Sequence, residues 1–192
     1  KHKELEKAFF YLEAGEYKKA ESIFSNIFDS DENSVDAIKG LIICKIAESD
    51  FDNNKINTAK VYLGKLDKTK LTPDEINDFI LKVLDQIHQY FERLNKNFRE
   101  EANEFTKRPA PFGTLYAVKR MKDSAEFMEF INKHIYRYEH GIELASLLYN
   151  LAHNKEDIAY KIVQLHDLVF ESLSNTPDMD GSLLLDAKGL LL

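Results

Sequence analysis

Six histidines are scattered through this chain, and histidine beside carboxylate is the usual material of metal centres and proton relays. Their spacing assembles neither. His134 and His140 stand six positions apart, whereas residues three or four apart share a helix face. His88 with Glu92, His140 with Glu143 and His153 with Asp157 are single pairs at helical spacing. None builds the paired Glu-x-x-His signature of a carboxylate-bridged bundle, and His-Glu-x-x-His is absent. There is no glycine-rich phosphate loop, no Gly-x-Ser-x-Gly elbow and no Cys–His nucleophile spacing. Glu139 and Glu143 lie one turn apart, a common arrangement on a solvated helix face. The sequence therefore predicts no catalytic residue, no metal site and no cofactor. The enzymatic alternative is a helical enzyme or sensor with a polar pocket among Tyr138, His140, Glu143 and His166.

Bulk composition narrows the class. The 192 residues carry a net charge of −7, and the small Lys119-Arg120…Lys122 cluster makes no basic stripe, so no nucleic-acid ligand is expected. Hydrophobic residues make up 44%, enough for a core, and with no Trp the 13 Phe and 9 Tyr must supply the large aromatic burial. Seven Gly and four Pro favour long helices over a many-turned sheet. The single cysteine, Cys44, falls in an apolar helical pattern and reads as an inert buried thiol. It fits a reducing compartment, so a cytoplasmic location is expected. No apolar run approaches transmembrane length and no signal-peptide pattern is present, so no membrane insertion is expected within this segment.

The elements that position any binding surface are all helical. Residues 3–14 and 17–28 are two amphipathic patterns meeting at Gly15, which can close a helix in the left-handed conformation. Ala8 and Ala20 permit close approach, and Tyr17, Phe24 and Phe28 fill the seam. Ala8, Gly15 with Tyr17, Ala20 and Phe24 resemble the pattern of a tetratricopeptide repeat. Glu4 stands near the place of the usual early Trp, and Glu32 replaces the closing Pro. A third helix is predicted over 34–49, started by Asn33 with Asp36, and a fourth carries Ile56, Ala59, Leu63 and Leu66. Aligning Ala20 with Ala59 gives a degenerate second repeat, about five residues longer than the standard one of about 34.

Thr72-Pro73-Asp74-Glu75 is a capping box followed by Pro at the first helical position. Apolar residues then keep helical period for about thirty residues, a spine about 45 Å long, until Pro109 and Pro111. A short helix over 114–122 is expected next. A longer one starts at Asp123 and Glu126 and is apolar on two sides, and a last one starts at Asn154 with Asp157. The expected fold is all-α: tetratricopeptide-like hairpins over 1–68, a spine helix over 69–108, and a C-terminal helical bundle with a Leu-rich tail over 112–192.

By resemblance, the first helix of each hairpin lines a concave groove, here Leu5, Phe9, Leu12, Glu13, Lys39, Ile43 and Ile46. Family members that clamp a peptide carboxylate use Lys and Asn at such places. Leu5, Phe9 and Ile43 stand there instead, which implies an apolar groove for an amphipathic helix of a protein or peptide partner. The chain's own helix filling that groove is the competing arrangement. The expected function is a non-catalytic adaptor or scaffold, with a chaperone-like subunit holding a partner's helix as the alternative. In the tail, Leu183, Leu184, Ala187, Leu190 and Leu191 share one helix face. It is expected to pack on its own bundle, or to make a homodimer through a neighbour's groove.

Overall fold

The computed structural model describes residues 2–49, 53–106 and 115–174. Among these it is all-α: α1 (His2–Glu13), α2 (Tyr17–Ser30), α3 (Val35–Ala47), α4 (Asn53–Lys65), one 3₁₀ turn (Lys68–Lys70), α5 (Pro73–Thr106), α6 (Leu115–Leu151) and α7 (Lys155–Ser174). The proline break and the Leu-rich tail lie outside the described residues.

Local signals in the sequence set several of the helix ends. Gly15 adopts φ 73° and closes α1, with the N–H of Glu16 bonded to Tyr11 O at 2.8 Å and that of Gly15 to Leu12 O at 3.1 Å. That pair of bonds satisfies carbonyls the helix end would otherwise leave open. At α5 the Thr72 N–H donates to Glu75 Oε2 at 2.8 Å, and the Glu75 N–H donates to Thr72 Oγ1 at 3.3 Å. This is the reciprocal cap read from the sequence, a device worth about 1 kcal/mol. Asn154 Oδ1 accepts from the Glu156 N–H at 3.2 Å and starts α7. Asn77 of α5 fixes the preceding turn by accepting from the N–H of His153 at 3.1 Å.

Two expectations are corrected. Asn33 does not cap α3: the cap position is Ser34, and the Asn33 N–H instead donates to Asp31 Oδ1 at 3.2 Å in the connecting turn. The separate short helix over 114–122 does not exist, because α6 runs unbroken from Leu115 to Leu151. Asp123 and Glu126 have the residue types of a helix start, but no proline and only Gly141 interrupt this span, so nothing in the backbone forces a stop.

The hairpins and the later helices share one core. It runs from Ile38, Ile42 and Ile46 of α3 through Ile56 and Ala59 of α4, Ile80 to Phe98 of α5 and Tyr138 to Leu148 of α6 to Leu165 and Val169 of α7. A smaller cluster of Ala8, Ala20, Phe24, Ile27, Ala37, Leu41 and Cys44 joins the first hairpin to α3. Cys44 is buried, and burial pushes its thiol up to about 12, so the thiolate needed for reaction is suppressed. α3 packs against both members of the first hairpin, and α5 crosses α3 before meeting α6 and α7. Arg93 of α5 caps the end of α3 by donating to Ala47 O at 3.1 Å. α6 packs against α4, α5 and α7, the central position its two apolar sides require.

Candidate functional site

The placement of α5 leaves a cleft of about 640 Å³ bordered by α1, α3 and α5. From α1 come Phe9, Leu12 and Glu13; from α2, Tyr17; from α3, Lys39 and Ile43. Helical periodicity supplies the set, since Phe9 and Leu12 are three apart and Lys39 and Ile43 four apart. Five of the seven groove residues expected from the sequence therefore meet here. The other two do not line the cleft. Ile46 is fully buried beneath it, one turn beyond Ile42, and Leu5 is half-buried against the Phe24 cluster.

The third wall was not foreseen. Glu75, Asp78, Phe79, Lys82, Asp85, Gln86 and Gln89 of α5 all face the cleft. In sequence Glu75 belongs to the capping box and Phe79 to the apolar stripe of the spine helix, and only the packing of α5 on α3 turns these positions into a wall. The helical spacing of Glu75, Asp78, Lys82, Asp85 and Gln89 was the available signal. The cleft is thus not apolar throughout. Phe9, Leu12, Ile43 and Phe79 form an apolar floor, and four carboxylates face two lysines around it.

The charges are not equally free. Asp85 pairs with Lys161 of α7 at 2.7 Å, and Lys39 lies 4.0 Å from Asp36 and over the Phe79 ring at 5.9 Å. Backbone and hydroxyl donors of Thr72 hold the Glu75 carboxyl below the usual range, so it stays ionised. The carbonyl oxygen of Gln86 is buried with no hydrogen-bond donor.

The polar residues named for the enzymatic alternative point to different neighbours. The Tyr138 hydroxyl donates to Asn95 Oδ1 at 2.5 Å and lies 3.2 Å from the Ser172 hydroxyl, and burial pushes it up to about 12. His140 Nδ1 lies 3.2 Å from Lys60 Nζ of α4, which also binds the Glu143 carboxylate and holds its pKa down. His166 is exposed on α7. His134 is fully buried, with Nδ1 3.0 Å from Phe130 O and Nε2 3.2 Å from the Asn97 side-chain amide. Among the described residues no three His, Cys, Asp or Glu side chains are grouped as metal ligands, and no helix is long and apolar enough to cross a membrane.

Comparison with protein-family models, curated proteins and solved structures found no match for this chain.

Proposed function

We propose that the protein is a non-catalytic interaction module of tetratricopeptide-like construction, and that it docks a helix or peptide of a protein partner in the α1–α3–α5 cleft. The observation that carries this reading is the apolar floor of Phe9, Leu12 and Ile43 at the base of a cleft with a charged rim. Ligand sites have this composition: apolar area supplies affinity and a few polar groups fix orientation. The helical hairpins hold the floor residues on rigid elements, as Gly15 sets the angle of α1 and Arg93 ties α3 to α5.

The test is selection of displayed helical peptides against the protein, followed by affinity measurements on Phe9→Ser and Leu12→Ser. Both side chains are only half-buried, so the fold should survive their loss. Binders should weaken by at least about tenfold, the scale of losing one well-packed anchor. A panel of binders indifferent to both substitutions would place the interaction surface elsewhere.

A further inference from the structure

The cleft's own chemistry narrows what occupies it; this step rests on the cleft being a docking site. We infer that the occupant is an amphipathic helix of another protein whose polar face carries lysine or arginine. Three observations converge on that class. First, the rim holds four carboxylates against two lysines, and among the described residues Glu13 and Asp78 are exposed and form no ion pair within 4 Å. Glu75 is kept ionised by its cap, and Asp85 shares its lysine at an exposed position. Second, the unmet groups ask for donors. Exposed carboxylates accept only, and lysine and arginine are donors only. Third, the walls are helices whose backbone groups are already paired internally. An extended peptide would find no edge on which to pair its own backbone, whereas a helix arrives with those bonds made.

The dimensions agree. From Glu75 to Gln89 the α5 wall runs about 21 Å, the length of a partner helix of about four turns. Such a helix would set apolar side chains on Phe9, Leu12 and Ile43 and turn its cations toward Glu13 and Asp78. The chain's own residues 182–192 match this less well. Their polar positions include one Asp and one Lys, Asp186 and Lys188, and offer no surplus of positive charge.

Two labelled peptides of about 18 residues, sharing one leucine face and carrying either lysine or glutamate on the other, test the inference by fluorescence anisotropy on the whole chain. The lysine peptide should bind at least about tenfold more tightly, and the gap should narrow as salt is raised. Glu13→Gln with Asp78→Asn should remove most of that preference. Glu100→Gln with Glu139→Gln, exposed outside the cleft, should leave it intact. An equal loss in that second pair would reduce the effect to net charge and overturn the assignment. Equal binding of both peptides, with sensitivity to Leu12→Ser, would keep the docking site and overturn the basic partner. Failure of both peptides to bind would contradict docking in the cleft itself. Binding that emerges only after residues 182–192 are removed would make the tail the occupant and overturn the partner assignment.

Discussion

The ring of Phe24 in α2 lies against the backbone of Gly40 in α3, so close that a Cβ at residue 40 would stand 2.4 Å from the ring carbons. The same relationship recurs in the later helices, where the Phe91 ring of α5 occupies the place of a Cβ at Gly141 of α6, also at 2.4 Å. Each glycine admits an aromatic ring that a larger residue would exclude. Both rings are fully buried, so neither can swing aside into water.

Gly40→Ala should therefore destabilise the protein although alanine is the better helix former. The helical preference gains about 1 kcal/mol, and overpacking a buried ring costs about 1–3 kcal/mol. Gly64 is the control: no atom lies within 4 Å of its would-be Cβ, and Gly64→Ala should leave stability unchanged or raise it by up to about 1 kcal/mol. Denaturant midpoints decide. Phe24→Leu should relieve part of the cost of Gly40→Ala, and two independent, additive losses would contradict a shared contact.

How far these relationships could be read beforehand depends on their range along the chain. Gly15, the Thr72–Glu75 cap and Asn154 act within a few residues, and their helix ends were legible. So was the inward stripe of α5 from Ile76 to Phe98, because period alone defines it. The Gly40–Phe24 contact was not, since it depends on which turn of α2 faces which turn of α3. The α5 wall of the cleft was illegible for the same reason. Glu75, Asp78 and Lys82 have the composition of a water-facing stripe, and they do face water, but across from α1. Asn95 was hidden differently: an amide in an amphipathic helix reads as surface, whereas here it is buried and bonded to Tyr138.

That buried triplet of Asn95, Tyr138 and Ser172 ties α5, α6 and α7 together, with the Asn95 side-chain N–H also donating to Leu168 O at 3.1 Å. Tyr138→Phe removes the donor to a buried Asn95 oxygen and should cost about 1–3 kcal/mol. Replacing both partners, Tyr138→Phe with Asn95→Leu, should cost less than the two single losses together, because the Asn95 oxygen and the tyrosine hydroxyl that met it are then removed together. Chemical denaturation of the four chains measures the coupling. Strict additivity would mean that the hydrogen bond contributes nothing specific.

His134 makes stability depend on pH. Burial lowers its pKa below the usual 6.5, against the opposing pull of the Phe130 carbonyl. The fold prefers the neutral imidazole, so this contribution is fully present above pH 6.5 and is lost as pH falls from there through the lowered value. The melting temperature should drop between pH 7 and pH 5, and the drop should be shallower in His134→Gln. Parallel profiles for the two proteins would show that His134 does not titrate differently in the folded and unfolded chains.

The central claim is that the α1–α3–α5 cleft receives a partner's helix. Hydrogen exchange of the whole chain, with and without the lysine-faced peptide at saturation, tests it most directly. Amide protection should rise in residues 9–17, 39–43 and 75–89, the three stretches that border the cleft. Protection confined to the outer face of α7 around Tyr160 and Val163, or no change at these three stretches under saturating peptide, would contradict the account.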